Sequence, residues 1–359
     1  MNKFVYSALA ATLVSTTGFA TETEWIELDR ELDAMSATLA QDGGGPQMFG
    51  WVASNWGFSS DDAYKVDSGG MPSATGESYS GLAFQSVRFG VSGSTADYGY
   101  HVSTDLRYGF AMLYQAFGTV NFGQAVTLSM GQFKIPTLRS QLVDQNRTFF
   151  IRRSEIFAAI DNDGGELAAV DRGAMISGNY EMVNWALAVQ NGEDTVQDKY
   201  LLSGRLSFDL MGEGAGQYLE GAYNASDGTN LSLGIFGSDD GTRSMDTARA
   251  IGGELYLTSG PFAASAEIIS YDLNDGTTPK TDDTPFNLSG YYMFTDQWEL
   301  GIRWEEMDNT AKDRYITGGV NRYVSGHDVK WMFNWRYSQS DIDALDGANL
   351  LSIGLVVSF

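Results

Sequence analysis

From Gln47 to Phe359 apolar and polar residues alternate with a period of two, in short runs separated by links rich in glycine and aspartate. In His327 to Ser338, Val329, Trp331, Phe333, Trp335 and Tyr337 make one set, and Asp328, Lys330, Asn334 and Arg336 the other. Gln297 to Glu306 sets Trp298, Leu300, Ile302 and Trp304 against Glu299, Arg303 and Glu305. Tyr98 to Tyr108 sets Tyr98, Tyr100, Val102, Leu106 and Tyr108 against His101, Ser103, Asp105 and Arg107. Successive side chains of a strand point to opposite faces, so each run predicts a strand with one apolar and one polar face. A soluble sandwich would alternate as well, but it would bury far fewer tryptophans and tyrosines at strand ends. Aromatic residues belong at the edges of a lipid layer, with the charged face turned to a water-filled interior.

The pattern yields seventeen candidate strands, and a closed antiparallel barrel with both ends on one side needs an even number. The piece 217–224 (QYLEGAYN) alternates least and is assigned to a long turn. The fold class predicted is therefore all-β: a transmembrane antiparallel β-barrel of about sixteen strands over 47–359. Leu351, Ile353, Leu355, Val357 and Phe359 alternate up to the last residue, and a Phe closing such a strand resembles the end signal of bacterial outer-membrane barrel proteins.

The first residues follow other rules. Met1 to Ala20 carries Lys3, an apolar centre from Val5 to Val14, and the small residues Gly18 and Ala20, which reads as a secretory signal peptide over 1–20. Over 21–40, Trp25, Leu28, Leu32, Met35 and Leu39 fall at 3-4-3-4 spacing among acids, the seam of a short coiled coil. Two heptads are too short for a lone helix, which leaves two readings: a bundle formed with identical neighbours, or a helix resting on its own barrel. Gln41 to Pro46 (QDGGGP) is a flexible linker.

Composition narrows the class without changing it. The absence of cysteine rules out a disulfide scaffold for an exported chain. Forty-two glycines, 13% aromatics and six prolines suit long strands with tight turns, and a mean hydropathy of −0.20 is what a barrel gives when every second residue faces water. The formal charge is −24. Much of the acid, including Asp61, Asp62, Asp239, Asp240, Asp282, Asp283, Asp341, Asp343 and Asp346, falls in the long links. Solvated loops or divalent-cation bridges to lipopolysaccharide both account for it. Parity puts the long links (58–81, 134–172, 191–199, 238–248, 272–284, 307–312, 339–347) at one end and short turns at the other, as in membrane barrels.

The link Lys134 to Arg172 opposes the rest of the chain in charge. Its first twenty residues hold Lys134, Arg139, Arg147, Arg152 and Arg153 against Asp144, together with Phe149, Phe150 and Ile151. Apolar anchors plus cations describe a loop folded into the barrel, where fixed guanidiniums favour anions. Its second half holds Glu155, Asp161, Asp163, Glu166 and Asp171, so pairing within the loop is the competing reading. Six further cations, Arg88, Arg107, Arg205, Arg303, Lys330 and Arg336, fall on predicted inward faces and are expected to line the pore, alongside Asp105, Asp209, Glu299 and Glu305.

The stretch Gly131–Gln132–Phe133–Lys134–Ile135–Pro136, followed by Phe149–Phe150–Ile151–Arg152–Arg153–Ser154, resembles the phosphate-selective porin O/P family of Gram-negative outer membranes. Arg172–Gly173, Gly253–Glu254–Leu255 and Gly318–Gly319–Val320–Asn321 follow in the same order. The resemblance implies a trimeric, sixteen-stranded anion channel, with Lys134, Arg152 and Arg153, and beyond them Arg139 and Arg147, at its constriction. It implies small anions or other hydrophilic solutes as cargo, outer-membrane lipid and lipopolysaccharide as surroundings, a homotrimer, no cofactor and no nucleic acid. The chain departs from the family in its strongly acidic balance, so a weakly selective or cation-selective pore is the alternative.

Enzymatic and purely structural roles are the remaining classes. His101, Ser103 and Asp105 share one strand face, a spacing that rarely gives the relay a nucleophile needs, and no metal-ligand spacing accompanies them. An adhesive barrel would have a plugged lumen and large outer loops, whereas one inserted loop and a charged interior point to passage.

Overall fold

The computed structural model describes residues 45–59, 80–123, 125–156, 169–192, 200–212, 219–223, 228–240, 247–273, 281–309, 312–341 and 346–359. The expected leader, and the heptad residues Trp25, Leu28, Leu32, Met35 and Leu39, lie outside them.

The strands are β1 (Gln47–Phe58), β2 (Ser80–Ser94), β3 (Tyr98–Asp105), β4 (Met112–Phe122), β5 (Val126–Lys134) and β6 (Val170–Tyr180). They continue as β7 (Val183–Gln190), β8 (Leu201–Met211), β9 (Thr229–Asp239), β10 (Thr247–Ser259), β11 (Phe262–Leu273) and β12 (Thr281–Asp283). The last five are β13 (Phe286–Thr295), β14 (Trp298–Glu306), β15 (Arg314–Ser325), β16 (Val329–Gln339) and β17 (Asn349–Ser358). Neighbours in sequence pair antiparallel. Short β12 and β13 both pair with β11 and share one place in the wall, which gives sixteen wall positions. β1 pairs with β2 and also with β17, which closes the sheet into a barrel. The final residue completes that seam: Gly50 N donates to Phe359 O at 3.1 Å and Phe359 N to Gly50 O at 3.0 Å.

The wall is polarised as alternation dictates. On β16, Trp331, Phe333 and Trp335 are exposed outward, while Lys330, Met332, Asn334 and Arg336 are buried on the other face. Rings outside and charges inside are stable only with lipid on one side and water or polar partners on the other. The strand bounds differ from the predicted ones by a few residues. β3 stops at Asp105 instead of Tyr108, because Asp105 Oδ1 accepts from Arg107 N at 2.9 Å and Gly109 takes φ +83°. Arg107 thus sits on a turn and not on a strand. β6 starts at Val170, not Gly173, and β16 starts at Val329 after a turn in which Gly326 has φ +58°. The 217–224 piece contributes no strand among its described residues.

Apolar packing lies inside the barrel, where the β5–β6 loop meets the wall at three places. Leu138 and Ile156 pack with Phe236, Ala250, Ile269 and Tyr271. Ile151 packs with Trp51, Ala53, Met332 and Val356. Phe149 and Phe150 pack with Ala222, Ala263 and Tyr291.

Candidate functional site

A loop between adjacent strands β5 and β6 can reach β8, β10, β11 and β13 through β17 only by crossing the lumen, and it touches all of them. Its backbone groups need partners that a short irregular segment cannot supply itself. The wall provides them. Arg139 N and Ser140 N donate to Glu254 and Glu267 at 2.6 and 2.8 Å, Ile151 N to Asn334 at 2.7 Å, and Glu155 N to Glu305 at 2.7 Å. In the other sense, Arg205 donates to Thr137 O and Lys330 to Thr148 O at 2.5 Å, Asn321 to Phe149 O at 2.8 Å, and Arg303 to the carbonyls of Arg152 and Arg153 at 3.1 and 3.2 Å. Among the described residues the loop has one helical turn at Arg139–Leu142 and a 3-10 turn at Gln145–Arg147.

The ring of Phe149 seats the loop. It is fully buried, lies 4.8 Å from Phe150 and 5.1 Å from Tyr291 between ring centroids, and rests over two wall glycines. A Cβ on Gly319 would come within 3.0 Å of that ring, and one on Gly301 would collide with it. The glycines create the seat by having no side chain.

A second segment enters from the opposite end. The β8–β9 link lies on the side of the short turns, and its residues Leu219 to Tyr223 fold inward. Glu220 accepts from Phe149 N at 2.8 Å and from the Tyr291 hydroxyl at 3.1 Å, and lies 3.5 Å from Arg303. Glu220 N donates to Arg147 O at 3.2 Å. Tyr223 stacks on Tyr323 with centroids 3.8 Å apart and meets His327 edge-on. Loop and segment therefore brace one another.

The predicted constriction cations divide by environment. Lys134 donates to Leu142 O and pairs with Asp144, both at 2.7 Å. Arg139 is buried over the Tyr256 ring and donates to Leu219 O at 2.9 Å. Arg153 donates to Ser140 O at 2.8 Å. Arg147 has no ion pair among the described residues, and Arg152 is half exposed, 3.7 Å from Glu155. Glu155 is shared: Arg336 reaches it at 2.6 Å. Burial pushes the Glu155 carboxyl up, but the two guanidiniums outweigh it and hold the group at about 2.

Of the predicted lining cations, Arg303 and Lys330 are fully covered by the loop, and Arg303 pairs with Glu305 at 2.9 Å. Arg205 pairs with Glu254, and Arg336 also lies over the Tyr315 ring. Arg88 is buried over Tyr114 and shares Asp105 with Arg107, at 3.4 and 3.7 Å. Among the described residues two places therefore carry two guanidiniums to one carboxylate: Arg88 and Arg107 about Asp105, and Arg152 and Arg336 about Glu155. Sequence reasoning did not single out Glu220, Glu254, Glu267, Asn321 or Asn334 as the loop's acceptors and donors. The available signal was a set of inward-facing acids and amides opposite a basic loop.

Among the described residues the lumen is open along β4 to β8. There a cavity of about 480 Å³ is lined by Gln115, Phe117, Thr127, Phe133, Ser177 and Asn184 and by the cations Lys134 and Arg205. His101 Nε2 lies 3.2 Å from Ser103 Oγ, while Asp105 is engaged by the two arginines. Among the described residues no three acidic, histidine or cysteine side chains group to hold a metal.

No protein-family model matches the chain. No curated protein matches it either. Solved structures do. The chain is similar to an anion-selective porin from Comamonas acidovorans (TM-score 0.62, 12% identity, 88% of this chain and 100% of that one). It is similar to the trimer form of OmpT, an outer membrane protein of Vibrio cholerae (0.58, 12%, 88% and 99%). It is also similar to Salmonella typhi OmpF in complex with daunomycin (0.59, 10%, 89% and 99%). At these identities the likeness concerns the fold, which is that of Gram-negative outer-membrane porins.

Proposed function

We propose that the chain is an outer-membrane porin that passes small hydrophilic solutes by diffusion, with a mild preference for anions. The observation that carries this reading is the loop fixed across the lumen with Arg152 exposed beside Arg336, two guanidiniums sharing one carboxylate. An exposed guanidinium fork in a narrowed space suits chloride and, through paired hydrogen bonds, oxyanions such as phosphate. The motif resemblance to the phosphate-selective O/P family supports the oxyanion, and the anion-selective Comamonas porin supports the sign. The preference is mild because most other lumen cations are spent on Asp105, Asp144, Glu254 and Glu305. The protein resides in the outer membrane of a Gram-negative bacterium, and the heptad segment over 21–40 joins three copies.

The test is the reversal potential of the purified protein in planar bilayers under a potassium chloride gradient, beside Arg152→Ala/Arg153→Ala. A potential favouring chloride that weakens in the double variant is the expected result. A potential favouring potassium, or one unchanged in the variant, refutes the assignment.

A further inference from the structure

The barrel's interior is divided by charge. Strands β4 and β7 contain no charged residue on either face, and β5 and β6 carry theirs, Lys134, Asp171 and Arg172, only at the loop end. On β14 and β16, by contrast, Glu299, Arg303, Glu305, Lys330 and Arg336 all point inward and are buried. The loop stands on the charged half and covers it. The half left open is the neutral one, where Gln115, Thr127, Ser177 and Asn184 are only half-buried and border the 480 Å³ cavity.

That wall presents amides and hydroxyls, each able to donate and accept, so a solute shedding water can exchange its hydrogen bonds one for one. It also presents rings. Phe117 is half-buried, packs against His101 with centroids 5.3 Å apart and nearly parallel planes, and meets Phe133 edge-on at 6.3 Å. Aromatic surface takes up the C–H faces of a solute. Convergent polar groups beside rings, in a space of this size, are what small-molecule sites are made of. The cations that line the cavity are paired, Lys134 with Asp144 and Arg205 with Glu254, and the nearby Asp209 carboxylate is held by neutral donors, accepting from Asn184 and Ser232 at 2.9 Å.

We propose that this uncharged wall is a contact site for neutral polyhydroxylated solutes, sugars by chemical class, and that their path runs along β4 to β8. The proposal rests on the porin reading and deepens it. It assigns the mild ionic preference to the loop's exposed edge and the organic cargo to the opposite wall. Weak, repeated contacts of this kind let a solute enter and leave.

The experiment uses the purified full-length protein in planar bilayers, with the neutral trisaccharide raffinose added to one side and conductance followed against concentration. Wild type is expected to show a saturable fall in conductance. Phe117→Ala and Gln115→Ala, each confirmed as folded by heat-modifiable migration on gels, are expected to raise the half-blocking concentration by about threefold or more, the scale of one aromatic contact. Conductance steps with no saturable block, or a block equal in wild type and both variants, overturn the inference. So does stronger block by glucuronate than by raffinose, which would mean that charge governs the path. Absence of any conductance step removes the porin reading itself and is thereby distinct from the failure of this proposal.

Discussion

Replacing Phe149 with alanine tests whether the loop is held by packing as described. The ring is fully buried over Gly301 and Gly319 and contacts two further rings, so its truncation leaves a cavity that the strands beneath cannot collapse into. Such large-to-small changes cost about 3–5 kcal/mol, with each ring pair contributing about 0.5–1.5 kcal/mol within that. Taking about 3 kcal/mol, and a factor of ten for each ~1.4 kcal/mol, the undocked population rises roughly 100-fold. The assay is native-state proteolysis by trypsin, for which Arg147, Arg152 and Arg153 are cleavage sites once the loop leaves the wall. In the regime where opening is fast relative to cleavage, the cutting rate follows the open population, so it is expected to rise by about two orders of magnitude. Single-channel conductance should rise and become noisier in parallel. A cutting rate within about threefold of wild type, in a barrel that still resists heat, would show that the hydrogen bonds alone hold the loop and that the packing argument is wrong.

Gly319→Val reaches the same contact from the wall side. Its first added carbon would stand 2.5 Å from Asn334 Nδ2 and 3.0 Å from Phe149, both of which hold the loop, so faster trypsin cleavage is expected, and an unchanged rate would mean that both side chains have room to move aside. Glu220→Ala removes an acceptor for Phe149 N and Tyr291 and a partner of Arg303, leaving buried groups unpaired at about 1–3 kcal/mol each. Larger, less stable conductance levels are the expected readout, and wild-type traces would deny the segment its bracing role. Deleting Glu24 to Ala40 should weaken the trimer on mild electrophoresis while leaving a folded barrel, and an undiminished trimer would remove that role. Burial, with Lys330 and Arg147 nearby, pushes His327 from its usual 6.5 down to about 2. The unfolded chain therefore takes up a proton that the folded one refuses, so stability is full above pH 6.5 and falls as pH drops toward 2. His327→Phe should flatten that slope in denaturant titrations between pH 6 and 4, and an identical slope would mean that other groups set the acid sensitivity.

The barrel was legible because alternation is a local property of each strand. Trp331, Phe333 and Trp335 announce their lipid face without knowledge of any neighbour, and parity together with its weak alternation demoted 217–224. The inserted loop was legible too, since Phe149, Phe150 and Ile151 have no business in water. What the sequence did not disclose was pairing. Alternation puts Arg303 and Lys330 on the inward face, but whether an inward cation meets water or a carbonyl depends on which wall the loop leans against, a long-range fact with no periodicity. The same holds for Glu220, whose partner Phe149 lies 71 residues away. Strand ends were misjudged where a single side-chain bond, such as Asp105 to Arg107 N, overrides propensity.

The loop's one-sided footing has a consequence for how such a channel can diversify. Residues on β13 to β17 that hold the loop are bound by what they support, and a change there threatens the fold. The residues of β4 to β7 that border the open half, Gln115, Thr127, Ser177 and Asn184, hold no part of the loop. Substitutions on that wall can therefore alter which cargo is admitted without disturbing the frame, so that new permeation properties can be acquired one mutation at a time, by natural drift or by the designer of a sensing pore.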